Sequence, residues 1–295
     1  LKRSNPCART TIPTSNNPLQ NQATLRSAIE FSGVGLHTGK PAHVRVLPAV
    51  AGSGLRFRLD DAVEFPAHPD YVVDTRRATV LGAGDHRVST VEHLLSALCG
   101  SGVSNALIAV DGPEIPASDG SALEFITAID AAGIDEQPVA RARNVVREPH
   151  VFRDGDKLLA VMPAPAFRVR MTIDFPQPVG AQYVDYDSAA ANYRSAVAPN
   201  RTFGFRHEVE ALLARGLAIG GSLENAVVFD VDGPMAPLRS LDEPARHKVL
   251  DLIGDFALLG AYPQCEVIAI KSGHALHFEA VRALVERTAA GTTVG

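Results

Sequence analysis

The chain has 295 residues, 46% hydrophobic and 21% charged, with a formal net charge of −5 at pH 7. This is the composition of a soluble globular protein large enough for two medium domains, and its acidic balance argues against a nucleic-acid partner, which would require a basic face. Three scattered cysteines, Cys7, Cys99 and Cys265, exclude a disulfide framework or a paired-cysteine zinc knuckle and fit a reducing, cytoplasmic setting.

Residues 1–22 are polar and aperiodic and read as a flexible tail without the apolar core of a signal peptide. No apolar run approaches the roughly 18 residues of a membrane helix. From Ala23 to Phe31 the residues alternate as in a strand. The Gly-rich turn Gly33–Lys40 contains His37 but lacks the spacing of a phosphate loop. Strands are expected at His43–Leu47, Gly54–Leu59 and Ala78–Leu81. A helix follows at Ser89–Leu98, capped by Ser89 or Thr90, with Val91, Leu94, Leu95 and Leu98 on its apolar face. Asn105–Val110 is a buried strand and Ser121–Ala132 a second helix.

After a polar seam at Gly133–Arg147 the order recurs. Val145–Val151, Leu158–Met162, Arg168–Ile173 and Asn225–Phe229 read as strands, residues 244–260 as a long helix, Glu266–Ile270 as a buried strand, and a last helix begins near Gly273. The pattern predicts an α+β protein of two similar domains, at 23–138 and 139–295, each a sheet with two main helices.

The helix that Asp242 is expected to cap presents His247, Asp251 and Asp255 within roughly 80° of one another, opposite Val249, Leu252, Ile253 and Phe256. Imidazole and carboxylate one turn apart suit zinc, although such a row is equally the wet side of an amphipathic helix. Four stretches bear on the choice. Glu92-His93 sits on the matching helix of the first half and offers a third ligand and a general base. His274 opens the last helix, where it can serve as a general acid if a carboxylate such as Asp255 holds its other nitrogen. The loop Asn200–Phe205 sets a hydroxyl, Thr202, beside an aromatic, Phe203, and Lys248 beside His247 suits a phosphate.

Seven motifs occur in order: Gly33–Lys40, Ser89–Leu94, Ile115–Ala122, Arg201–Phe205, Gly220–Ala226, His247–Asp255 and Lys271–Leu276. Together, over residues 23–288, the chain resembles the UDP-3-O-acyl-N-acetylglucosamine deacetylases, zinc amidases of lipid A biosynthesis in Gram-negative bacteria. The resemblance implies two α+β domains with their helices sandwiched between the two sheets, and it implies that His93, His247 and Asp251 hold Zn2+, with Glu92 as base, His274 as acid, Asp255 as its partner and Thr202 at the oxyanion. It also implies substrate contacts at His37, Lys248, Phe203 and Glu208. An inserted element over 208–217, including Leu212, Leu213 and Leu217, would enclose the acyl chain; its apolar face could instead pack into the core. His277 stands where many relatives carry Asn, and Ile115–Ser118 departs from the commoner Ile-Pro-Ile-Met.

The expected reaction releases acetate and UDP-3-O-acyl-glucosamine, the committed step of lipid A synthesis. The protein is expected to be a monomer with no nucleic-acid partner, and it leaves room for peripheral contact with the inner membrane. A zinc amidase or peptidase of other specificity would keep the three ligands, whereas a non-catalytic nucleotide-binding module would need no metal.

Overall fold

The computed structural model describes residues 20–216 and 218–291. In the first sheet the strands run Ile29–Val34, Pro41–Pro48, Ala106–Asp111, Leu55–Leu59 and Val63–Pro66 across its width. All neighbours are antiparallel except Leu55–Leu59 with Ala106–Asp111. The second sheet repeats this arrangement with His150–Asp154, Lys157–Pro163, Tyr262–Ile270, Arg168–Asp174 and Ala181–Asp187, again with a parallel pair at its third and fourth places, and adds a sixth strand, Arg143–Val145, parallel to Tyr262–Ile270. In both, the last strand of the set inserts between the second and the third. Such a parallel pair needs a crossover, and in each half the crossover includes a helix.

The first crossover carries α1 (Glu92–Ser101), and α2 (Leu123–Ala132) follows the last strand of that sheet; the second carries the short α3 (Tyr193–Ala196), α4 (Arg206–Leu213) and α5 (Glu243–Phe256), and α6 (His274–Gly291) follows its last strand. α1 packs on α5, α2 on α1 and α6 on α5. α2 also meets the first sheet, while α5 and α6 meet the second. The helices therefore lie between the two sheets. Leu94, Leu95 and Leu98 of α1 share one apolar core with Val249, Leu252, Ile253 and Phe256 of α5. Each such side chain contributes about 1.5–3 kcal/mol when fully buried.

The two-sheet sandwich matches the pattern read from the sequence, with local differences. Asn21 and Gln22, read as tail, belong to strand Asn21–Leu25, which pairs with Ile134–Ala140; residues 1–19 and Leu217 lie outside the described residues. The expected strand from Ala23 to Phe31 is two strands broken at Arg26–Ala28. Val145–Val151 is likewise divided, into Arg143–Val145 and His150–Asp154. The expected helix over 244–260 ends at Phe256, because a 3-10 turn and Gly260 at φ 65° close it. Neither Ser89 nor Thr90 caps α1, since Thr90 is turned to φ 58° and its hydroxyl donates to Glu114. Asp242 makes no cap bond either; its carboxylate accepts from Arg246 instead. Among the described residues, no helix is long and apolar enough to cross a membrane.

Candidate active site

The site forms where α1 meets α5. A side chain at Gly254 would bring Cβ to 2.0 Å of the Glu92 carbonyl oxygen, so only glycine lets the first turn of α1 approach this closely. Glycine inside a helix costs about 1 kcal/mol relative to alanine. Here that cost is offset by the contact that sets Glu92 and His93 against the polar row of α5. The row is not a wet face: His247, Asp251 and Asp255 are 1%, 2% and 2% exposed, and Glu92 is 3% exposed. A solvated stripe is thereby excluded, because charges this deep require partners.

His93, His247 and Asp251 converge, each offering one atom within 4.8 Å of the others. Asp251 Oδ1 lies 3.5 Å from His93 Nε2 and 3.3 Å from His247 Nε2. It is a buried oxygen with no hydrogen-bond partner. The Nδ1–H of His247 donates to the Asn200 carbonyl at 3.0 Å, which turns the Nε2 lone pair toward the centre. Burial pushes His247 down to about 3, so the ring is neutral. Burial alone would raise Asp251, yet His247 and Lys248 hold it well below the ordinary carboxylate value. Its other oxygen accepts from Lys248 Nζ at 2.9 Å. Two imidazoles and one carboxylate with an orphaned oxygen form a donor set that fits zinc.

Beside this set stand a carboxylate and an imidazole facing one gap. Glu92 Oε2 accepts from the Thr79 amide at 3.1 Å, leaving Oε1 at 3.6 Å from His274 Nε2. Burial raises Glu92 to about 7, against the opposing pull of His274 and His93. His274 is the first residue of α6, where the helix dipole disfavours a cation. Burial also lowers it, but Asp255, 2.8 Å from its Nδ1, and Glu92 together raise it to about 9. Asp255 would rise on burial; instead His274 and His277 keep it at about 2. Its Oδ2 accepts from both imidazoles, at 2.8 and 2.7 Å, and its Oδ1 from the Thr79 hydroxyl at 2.5 Å.

The remaining residues expected from the sequence fall into two groups. Lys248 lies 5.8 Å above the Phe203 ring, and desolvation of its ammonium is outweighed by Asp251, so it remains a cation. His37 feels the charges of His93 and His274 and is lowered mainly by burial; its Nδ1 is buried and unpartnered. Thr202 is tied through its backbone to Gly120 and Val227 at the end of the loop that carries Asn200. Glu208, Leu212 and Leu213 are on α4, which packs on the strands Phe203–Phe205 and Val227–Asp230. Glu208 is exposed and Leu213 is 49% exposed, and no described contact joins the three to the His–Asp cluster.

Several contributors carry no sequence signature. Thr79 serves Glu92 by its amide and Asp255 by its hydroxyl, and Asn200 acts by a carbonyl. Buried Glu243 at the start of α5 accepts from the Arg201 amide and guanidinium and from the Arg239 amide. That clamp fixes the loop carrying Asn200 and Thr202 against α5.

The family model for LpxC, UDP-3-O-acyl N-acetylglycosamine deacetylase, matches residues 22–286. The chain is also similar to three curated proteins named UDP-3-O-acyl-N-acetylglucosamine deacetylase. That of Anaeromyxobacter sp. (strain Fw109-5) is 48% identical over 89% of this chain and 88% of its own. Those of Nostoc sp. and Cellvibrio japonicus are 44% and 43% identical, over 88% and 90% of this chain and 96% and 90% of theirs.

Proposed function

Since the chain belongs to the UDP-3-O-acyl-N-acetylglucosamine deacetylase family, we propose that it hydrolyses the acetamide of that nucleotide sugar at a zinc centre held by His93, His247 and Asp251. The reaction releases acetate and UDP-3-O-acyl-glucosamine and belongs to lipid A biosynthesis. The observation that carries the zinc reading is the unpartnered Asp251 Oδ1 between two imidazole nitrogens.

Zinc in this ligand set would supply Lewis-acid polarisation of water and of the acetamide carbonyl. The chain's own groups do the rest. Glu92 Oε1, free of the Thr79 contact that occupies Oε2, takes the proton of the attacking water. The Thr202 hydroxyl donates to the oxygen on which negative charge develops. His274, protonated through its contact with Asp255, delivers a proton from Nε2 to the departing amine. Lys248 meets a phosphate, and Phe203 and His37 take up the nucleotide-sugar. We also assign α4 to the acyl chain, supported by its apolar Leu212 and Leu213 outside the buried core.

The test is acetate release from UDP-3-O-acyl-N-acetylglucosamine by purified protein before and after chelation. Activity that chelation removes and zinc restores is the expected result. Zinc-dependent hydrolysis of peptides or simple amides, with none of the nucleotide sugar, would contradict it.

A further inference from the structure

Glu114 is 0% exposed and lies in the loop after Ala106–Asp111, outside the His–Asp cluster. Its carboxylate is surrounded by donors. Oε1 accepts from the His37 amide at 3.0 Å and the Thr90 hydroxyl at 2.7 Å; Oε2 accepts from the Thr38 amide and the Thr38 hydroxyl, both at 2.8 Å. The packing tolerates no intrusion, for a Cβ on Gly35 would lie 2.2 Å from Oε2. A carboxylate this deep is expensive unless every lone pair is used, and here donors fill both oxygens.

The arrangement changes what the Gly-rich turn can do. Successive backbone amides in such a turn form a concavity suited to an anion. In this chain an internal anion already fills it. The amides of Gly35 and Gly39 are bonded within the turn, and that of Lys40 is bonded to the Thr38 hydroxyl. The turn therefore meets a ligand through side chains, and His37, with its buried, unpartnered Nδ1, is the group it presents. The same turn accepts from the segment beyond α4: Gly220 donates to Leu36 and Ile219 to His37. Through Thr90, Glu114 also reaches the residue two before Glu92.

We propose that Glu114 is a positioning residue for the nucleotide-sugar, an internal carboxylate that occupies the amide cradle of the Gly33–Lys40 turn and fixes His37 against the start of α1. This rests on the deacetylase reading. Glu114 touches no substrate and acts through His37, so its effect belongs in substrate binding rather than in the chemical step.

The experiment is a double-mutant cycle on the zinc-loaded full chain, with KM and kcat measured separately for wild type, Glu114→Gln, His37→Ala and the double variant. Gln keeps the shape but aims an NH2 group at donors. Glu114→Gln should raise KM by about tenfold or more, leave kcat within about threefold, and retain zinc. In the double variant KM should match that of His37→Ala alone, because Glu114 has nothing further to position. If Glu114→Gln does not fold, Thr38→Val, which removes one hydroxyl contact, and Gly35→Ala, which displaces Oε2, take its place with the same expected pattern. Additive effects on KM, or a fall in kcat as large as the rise in KM, would overturn the proposal. A wild-type protein that releases no acetate from the nucleotide sugar would instead refute the deacetylase reading.

Discussion

Glu92, the base proposed above, sits in a setting that penalises its charge, and this gives it two measurable signatures. Its value of about 7 lies above the ordinary 4.5, so the ionised form destabilises the fold. That penalty is absent below pH 4.5, grows through the interval, and is complete above about 7. In metal-free protein, Glu92→Gln should therefore be the more stable variant at pH 8, by up to roughly 3 kcal/mol, and the gap should close near pH 5 in denaturant melts. The second signature is kinetic. Glu92 must be ionised and His274 protonated, so kcat/KM should be bell-shaped. A bound dication lowers both groups, which sets the limbs at or below about 7 and about 9. His274→Ala should lose about 10²-fold or more and flatten the basic limb; near-full activity with an unchanged profile would remove His274 from the mechanism. At this scale the buried His, Asp and Glu residues of the cluster were legible as candidates because residue type and spacing mark them, and the family resemblance proposed their roles. Thr79, the Asn200 carbonyl and Glu114 were not, because a lone hydroxyl, a backbone oxygen and a single Glu after a turn look the same wherever they stand.

Helix α5 carries most of the site, and two contacts decide where it lies. At Gly254, alanine would favour the helix by about 1 kcal/mol on propensity alone. Its Cβ would collide with the Glu92 carbonyl, so Gly254→Ala should instead destabilise the fold and weaken zinc binding, measured by thermal melts and chelator competition. At its N-terminus, the clamp of Glu243 on Arg201 orients the loop whose Asn200 carbonyl holds His247. Arg201→Lys cannot reproduce the planar fork and should cost about 10- to 100-fold in zinc affinity, read by the same competition. For α4 the test is acyl length. If it lines the acyl passage, Leu212→Ala and Leu213→Ala should change kcat/KM several-fold per methylene, one methylene being about 0.8 kcal/mol. One common factor at every length would make the stretch core. Elements with clean periodicity, such as Pro41–Pro48 with Ala42, Val44 and Val46 buried, could be read from the sequence. Ala181–Asp187 could not, because only Val184 and Tyr186 of its seven residues are buried.

The whole molecule is a repeat of topology without evident repeat of sequence, and the site follows from it. Each half inserts its last strand between its second and third, and each sends the helix before that strand, α1 or α5, into the shared middle layer. Packing the two halves face to face sets His93 of one opposite His247 and Asp251 of the other; neither half holds the cluster alone. The repeat was legible as an order of strands and helices. The face-to-face packing came only from the family resemblance, since the pattern of one helix does not name the helix it meets. Zinc content per chain in the folded protein, wild type against His247→Ala, decides whether this shared layer is a zinc centre. About one zinc per wild-type chain and loss of most of it in the variant are expected; full occupancy in a folded His247→Ala protein would contradict the assignment.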